Sequence, residues 1–278
     1  HHHLLPRQQQ RPQLRLDVLV GHRLTGALVQ VVGPAGHDEA LHPAGRVTQI
    51  AVQPPQRGAI ALARAADDAA VRVVVFQGDI TIFSAGNDIG DFLNKPPSTQ
   101  DSPVFRFLRG IATFEKPLIA AVAGPAVGIG TTLLFHCDLV YAGDNAAFAM
   151  PFVNLGVCPE AASSLLAPQM MGYHRAAEAL LLGEPFMAEA ALEVGLVNRV
   201  LPPTEVNNYV QAQARKLAAK PLSSLLETKR LMKAGQAQLV QKQMNEEAAS
   251  FGRMLTEPAA KEAFGAFMEK RKPDFSKL

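Results

Sequence analysis

From residue 59 onward the apolar positions fall into two rhythms. Val71-Arg72-Val73-Val74-Val75-Phe76, Leu118-Ile119-Ala120-Ala121-Val122 and Leu139-Val140-Tyr141-Ala142 are short, dense apolar runs, the pattern of strands buried on both faces. Ala147-Phe148-Ala149-Met150 and Leu196-Val197-Asn198-Arg199-Val200 predict two more short strands. Between and after them, residues 59–70, 104–113, 131–137, 160–171, 174–182 and 188–194 have helical composition. Long helical stretches at 205–219, 222–233 and 236–255, with a last one at 259–270, close the chain. Strands alternating with helices predict an α/β fold. Asn94-Lys95-Pro96-Pro97-Ser98-Thr99-Gln100-Asp101-Ser102-Pro103 reads as a mobile loop, because its prolines interrupt any regular element.

Residues 1–56 break this rhythm. Pro, Gln, Arg and His are frequent there, and only Leu16-Asp17-Val18-Leu19-Val20 and Ala27-Leu28-Val29-Gln30-Val31-Val32 stand out as strand candidates. The stretch is read as an atypical N-terminal segment, misread or partly disordered. A core at 57–200 and a helical region at 201–278 follow it. The three leading histidines match a tag scar or an unnatural start. The uncharged run 117–135 is long enough for a membrane helix. Gly124, Pro125, Gly128 and Gly130 break it, so a strand, a turn and the start of a buried helix are expected instead.

Composition narrows the function classes. Apolar residues are 48% of the 278 and charged residues 19%, enough for a sizeable core. A formal charge of +2, with no Lys/Arg run interleaved with aromatics, leaves no nucleic-acid footprint. Cys137 and Cys158 lie outside any Cys-x-x-Cys, which excludes a disulfide framework and a cysteine zinc site and suits a reducing compartment. A bacterial cytoplasm is the expected location; the terminal Ser276-Lys277-Leu278 matches a peroxisomal address, the alternative.

Three places offer chemistry. Ala85-Gly86 follows a strand and precedes a predicted helix, so a ligand could approach the backbone closely there, with Ser84 or Asp88 bonding a polar ring edge. An ordinary strand-to-helix connection explains the same string. Gly128 and Gly130 flank Ile129 at a helix N-terminus, where the Ile129 N–H can meet an anion; close helix-on-strand packing is the equal alternative. Glu160 opens a helix after Pro159, a position the helix dipole favours in any protein. Its apolar neighbours Phe152, Val157, Leu165 and Leu166 would raise its proton affinity, which suits a base that must return its proton. His136-Cys137-Asp138 holds nucleophile-like residue types, but adjacent helical positions diverge, so core packing is the better reading. Asp144 reads as a turn residue. No His/Asp/Glu spacing suggests a metal site, and neither glycine turn fits a dinucleotide or phosphate-loop pattern.

Taken in order, Phe83-Ser84-Ala85-Gly86-Asn87-Asp88-Ile89, Lys116-Pro117-Leu118-Ile119-Ala120-Ala121-Val122-Ala123-Gly124, Cys137-Asp138-Leu139-Val140-Tyr141-Ala142, Gly195-Leu196-Val197-Asn198 and the closing Phe267-Met268-Glu269-Lys270-Arg271-Lys272-Pro273-Asp274-Phe275 resemble the crotonase (enoyl-CoA hydratase/isomerase) superfamily. The resemblance runs from about Ala59 to the end. It implies a crotonase-like spiral of β-β-α units with a C-terminal helical trimerisation region, a homotrimer or dimer of trimers, and an acyl-CoA thioester substrate. No separate cofactor and no metal are implied, since CoA belongs to the substrate. The backbone N–H groups of Ala85 and Ile129 would form an oxyanion hole. Ser84, Ala85, Gly86, Asn87, Asp88 and Ile89, with Gly128, would line the CoA path, and Lys270-Arg271-Lys272 would meet CoA phosphates.

Two departures narrow the reaction. Hydratases of the family use two glutamates; this chain has Thr132 and Phe152 at those positions. Pro151-Phe152-Val153-Asn154-Leu155-Gly156-Val157-Cys158-Pro159-Glu160 instead resembles the peroxisomal-type Δ3,Δ2-enoyl-CoA isomerases, whose single catalytic glutamate falls at Glu160. The resemblance therefore implies an isomerase of fatty-acid β-oxidation. Another crotonase reaction, hydratase-like or thioesterase, is the alternative within enzymes, and a non-catalytic acyl-CoA-binding protein is the alternative outside them. The Asn-Arg-Pro-like turn that normally opens the family is missing from residues 1–56, which is where a shifted reading frame or wrong start would show.

Overall fold

The computed structural model describes residues 46–50, 55–87, 89–94 and 101–278. The strand candidates at 16–20 and 27–32 and most of the expected loop at 94–103 lie outside the described residues. In chain order the strands are Arg46–Ile50 (β1), Val71–Gln77 (β2), Leu118–Val122 (β3), Pro125–Val127 (β4), Leu139–Gly143 (β5), Ala147–Ala149 (β6), Phe186–Met187 (β7) and Arg199–Leu201 (β8). The helices are Pro55–Asp67 (α1), Ile89–Asn94 (α2), Pro103–Thr113 (α3), Ile129–Thr132 (α4), Ser163–Met171 (α5), Tyr173–Ala177 (α6), Ala188–Glu193 (α7), Pro203–Ala218 (α8), Leu222–Ala234 (α9), Ala237–Met254 (α10) and Pro258–Met268 (α11).

The dense apolar runs form the middle of a sheet, as their composition requires. Strands β1, β2, β3, β5 and β8 lie side by side in that order, every neighbouring pair parallel. A strand covered on both faces cannot alternate polar and apolar residues. Val74, Phe76, Leu118, Ala120 and Val122 point into the main core, where the edge of Phe107 from α3 meets Phe76 at 6.2 Å. Val73, Val75, Ile119 and Ala121 point the other way, onto Val206, Val210, Ala214 and Ala218 of α8. Those four recur every fourth residue, so one narrow stripe of small side chains lets the helix lie close to the sheet. A second, smaller sheet has β4 parallel to β6 and β7 antiparallel to β6.

Some expectations shift. β1 lies within the segment expected to be irregular; its pairing with β2 supplies what its own weak pattern does not signal. The expected helix at 131–137 starts earlier, at Ile129, and tightens into a 3-10 turn at Leu133–His136. The helix expected at 174–182 is α6 followed by a π turn at Glu178–Leu182. Leu196 and Val197 do not begin a strand. Their N–H groups both donate to the Ala191 carbonyl and close α7 past Gly195, so β8 starts only at Arg199. The uncharged run 117–135 is β3, β4, α4 and the 3-10 turn, and among the described residues no helix is long and apolar enough to cross a membrane.

A buried ion pair fixes the helical region to the sheet. Lys229 of α9, 5% exposed, donates to Asp138 Oδ2 at 2.7 Å and to the Lys116 carbonyl at 2.8 Å. Asp138 Oδ2 also accepts the Leu118 N–H at 2.7 Å, so one carboxylate joins α9, the start of β3 and the approach to β5. Removing the anion would strand a buried ammonium and an N–H together. Asp138→Ala is expected to lose about 3–5 kcal/mol of stability, read from a urea transition; an unmoved midpoint would show that Lys229 finds water when its partner is gone.

Candidate active site

The two glycine-bearing turns meet because both leave the carboxyl ends of adjacent parallel strands, β2 and β3. Phe83 and Ser84 donate their N–H groups to the Pro125 carbonyl at 3.0 Å, and Val127 donates back to the Ser84 carbonyl at 2.9 Å. This single parallel bridge, Ser84 to Ala126, sets Ala85 beside the start of α4. Gly130 is required by the contact: a Cβ there would lie 2.7 Å from the Ser84 Cβ. Gly128 is required by conformation, with φ 55° and ψ −118°, a region that side-chain-bearing residues avoid. Its carbonyl accepts the Thr131 and Thr132 N–H groups, which starts α4 and turns the Ile129 N–H outward from the helix end. Among the described residues, neither the Ala85 N–H nor the Ile129 N–H has an acceptor within the chain.

Both residues line one cavity of about 110 Å³. Gly86, Asn87, Ile89, Gly128 and Glu160 line it with them, and Phe92, Phe152, Phe251 and Phe264 supply much of its apolar wall. The expected site residues therefore converge, with two exceptions. Ser84 stands behind the wall, 3% exposed, its Oγ accepting the Gly86 N–H at 3.3 Å, so it shapes the turn instead of lining the cavity. Asp88 lies outside the described residues. Of the basic C-terminal triplet, Arg271 is engaged by Glu262 and Glu269.

Glu160 reaches the cavity by a route the sequence did not announce. It does not open a helix; α5 begins three residues later, at Ser163. Between them Ala161 and Ala162 both take left-handed backbone conformations, φ 59° and 55°. Each such alanine costs roughly 1–2 kcal/mol, so the turn needs outside support. Glu247 of α10 gives it: one carboxylate oxygen accepts the Ala162 N–H at 2.6 Å, and the other accepts the Ser164 N–H at 3.0 Å and the Ser164 hydroxyl. Ser163 Oγ donates to the Glu160 carbonyl at 2.6 Å. His136 Nε2 lies 2.7 Å from the Ala161 carbonyl. A carbonyl only accepts, so Nε2 carries the proton.

The electrostatics follow from this burial. Glu160 is 7% exposed, and Thr132 Oγ1 donates to its Oε1 at 3.0 Å. Burial pushes its carboxyl up to about 7; the Thr132 hydrogen bond opposes the rise and the nearby Glu247 adds to it. Burial pulls His136 down to about 4, so its imidazole is neutral and brings no cation to the turn. His136, Cys137 and Asp138 indeed diverge: to the Ala161 carbonyl, the Leu133 carbonyl and Lys229 respectively. Glu247 was not foreseen. Its signal was available in the pattern, since with Met244 and Phe251 it falls on the buried face of α10, the wrong face for a solvated glutamate.

Comparison with known proteins identifies the family. The sequence profile described as enoyl-CoA hydratase/isomerase matches residues 58–277. The chain belongs to the enoyl-CoA hydratase/isomerase family. Enoyl-CoA delta isomerase 2 of Rattus norvegicus is 37% identical over 205 residues, 71% of this chain; the match spans about half, 52%, of that relative's length. The 2,3-dehydroadipyl-CoA hydratase of Escherichia coli K12 is 32% identical over 215 residues, 77% of this chain and 84% of its own. The structure of OdaA from Pseudomonas aeruginosa aligns with a TM-score of 0.77 at 44% identity, covering 82% of this chain and 97% of that one. Relatives of this family thus bear both isomerase and hydratase names, while the α/β architecture with its C-terminal helices matches the OdaA structure.

The raised proton affinity of Glu160 sets a sign for stability. Its folded value, about 7, lies above the ordinary 4.5, so the folded chain holds this proton more tightly than the unfolded one. Stability from this site is full below about 4.5 and declines as pH rises to about 7. Glu160→Gln removes the penalty while keeping an acceptor for Thr132. It is expected to be more stable than the parent at pH 8, by up to about 3 kcal/mol, and equally stable near pH 4.5, read from urea transitions. No gain at pH 8 would mean that Glu160 is ionised and well solvated in the fold.

Proposed function

We propose that this chain is a Δ3,Δ2-enoyl-CoA isomerase, moving the double bond of a 3-enoyl-CoA to the 2-position. One observation carries the reading. Among the described residues that line the cavity, Glu160 is the one carboxylate, and it shares the cavity with two backbone N–H groups that have no acceptor in the chain.

In the proposed reaction the Ala85 and Ile129 N–H groups hold the thioester oxygen. Glu160 breaks the C2–H bond and takes the proton, and the electron pair spreads over a dienolate whose oxygen charge the two donors stabilise. The same carboxyl then gives the proton to C4, and the new double bond lies between C2 and C3. One base serves both carbons, so no second carboxylate is needed. A proton affinity near neutrality suits that cycle: Glu160 must accept the proton and release it again. The positions where the hydratase motif carries its two glutamates hold Thr132, which instead donates to Glu160, and Phe152, which is part of the apolar wall. That speaks against water addition, despite the hydratase names among the relatives. A homotrimer or dimer of trimers belongs to the same proposal, carried over from the family resemblance.

The test uses purified protein and trans-3-hexenoyl-CoA, following the conjugated 2-enoyl thioester by its absorbance. Glu160→Gln is expected to lower kcat by about 10²–10⁴-fold with little change in KM. The parent's rate should rise with pH through a midpoint near 7, since only the deprotonated Glu160 can abstract a proton. Full activity in Glu160→Gln, or 3-hydroxyacyl-CoA as the product formed from a 2-enoyl-CoA at a competitive rate, would overturn the isomerase reading.

A further inference from the structure

We infer that Glu247 is a positioning residue for the Glu160 base, holding from a separate helix the left-handed turn on which that base is mounted. The inference rests on the isomerase reading for the role of Glu160, but its geometry stands by itself. Glu160 precedes two consecutive left-handed alanines, and nothing in their own side chains favours that conformation. Left alone, Ala161 and Ala162 would relax to right-handed helix and α5 would extend back toward Pro159. Glu160 would then turn with the helix instead of entering the cavity. Glu247 blocks that relaxation by binding two N–H groups that the extended helix would orient along its own axis.

The clamp is built as an acceptor. Both Glu247 oxygens are committed, to Ala162 N–H on one side and to Ser164 N–H and hydroxyl on the other. Gln243, one helical turn away on α10, donates to the same Ser164 hydroxyl at 2.8 Å. A carboxylate so engaged accepts three hydrogen bonds from the turn, and it does not line the cavity that holds Ala85 and Ile129, which separates it from Glu160. Glu247 is 6% exposed, and the two carboxylates line one small apolar pocket between α3 and α10. Among the described residues, the ionisable groups around Glu160 are Glu247 from α10, Arg109 from α3 across that pocket, His136 beneath Ala161 and Cys158 on its own loop. Glu247 adds to the proton affinity of Glu160, so its charge and its hydrogen bonds make separate, separable contributions.

Two substitutions separate them. Glu247→Gln keeps the size, loses the charge and turns an amide toward one of the two N–H groups. Glu247→Asp keeps the charge but is one methylene too short to span both donors. With trans-3-hexenoyl-CoA, both are expected to lose about 10–100-fold in kcat, while KM stays within a few-fold of the parent. The pH midpoint should fall in Glu247→Gln and stay near the parent's in Glu247→Asp. An infrared titration reads the same coupling without turnover: the protonated carboxyl band that disappears in Glu160→Gln should titrate at lower pH in Glu247→Gln. Parent-like kcat in either variant, or a loss carried by KM, overturns the inference. So does an unmoved carboxyl titration in Glu247→Gln. If Glu247→Gln does not melt cooperatively, Glu247→Asp decides by the kcat-against-KM criterion; if neither folds, Glu247 is a folding element and the inference fails. Should the parent show no isomerase turnover, the functional reading fails by itself, and the infrared titration still decides whether Glu247 acts on Glu160.

Discussion

A carboxylate can be placed in an apolar cavity only if the chain around it is held against two tendencies: of the group to find water, and of the backbone to relax. The left-handed pair Ala161–Ala162 meets both. It breaks the helix that composition favours and directs Glu160 inward, where it is 7% exposed. The strain of two such residues is roughly 2–4 kcal/mol, comparable to a large share of a domain's net stability. It is carried by hydrogen bonds from elements distant in sequence: Glu247 from α10 and His136 from the turn before β5. Helix α10 thus does more than cover the core, because removing its carboxylate would release the segment that bears the base.

The opposite wall depends on a different constraint. Parallel strands β2 and β3 end side by side, so the loops leaving them start within reach of each other, the general location for ligands in parallel α/β sheets. Ser84 and Ala126 then pair as a single rung beyond the sheet, and Gly130 allows α4 to sit directly on Ser84. The result is two backbone N–H groups without partners among the described residues, fixed by hydrogen bonds to their neighbours and not by side chains of their own. Such donors need no reorganisation when charge develops on a bound oxygen. The site is therefore divided: the sheet side supplies fixed dipoles, and the loop before α5, held by α10, supplies the titratable group.

Legibility in the sequence followed the same division. Strands β2, β3 and β5 could be read because both faces are buried and their apolar runs are continuous, while β1, β4 and β7 could not; the long helices could be read because their stripes are. Ala85, Ile129 and Glu160 were reached through short glycine and proline motifs and through the family resemblance, and the fold brings them to one cavity. Ser84 was expected at the ligand and lies behind it, since a residue bridged by its backbone turns its side chain into the packing. The helix expected from Glu160 onward was wrong at its first turn, because alanine's helix propensity cannot reveal a tertiary carboxylate that captures the turn's N–H groups. That carboxylate, Glu247, is 87 residues downstream. Only its misplacement on the buried face of α10 hinted at a role.

The balance of charge around Glu160 explains why its surroundings are mostly neutral. A cation in contact would hold the carboxyl ionised and lower its proton affinity, leaving a weak base. The turn nonetheless needs a donor to the Ala161 carbonyl, and His136 supplies it as a neutral imidazole, since its burial pulls its own titration down to about 4. Thr132 likewise gives Glu160 a hydrogen bond without a charge. Burial outweighs that bond, and among the described residues the charged Glu247 pushes in the same direction as burial. Neutral donors for geometry, with an anion for support, leave Glu160 poised near neutrality. Substituting an ammonium for either neutral donor would preserve a hydrogen bond and destroy that poise.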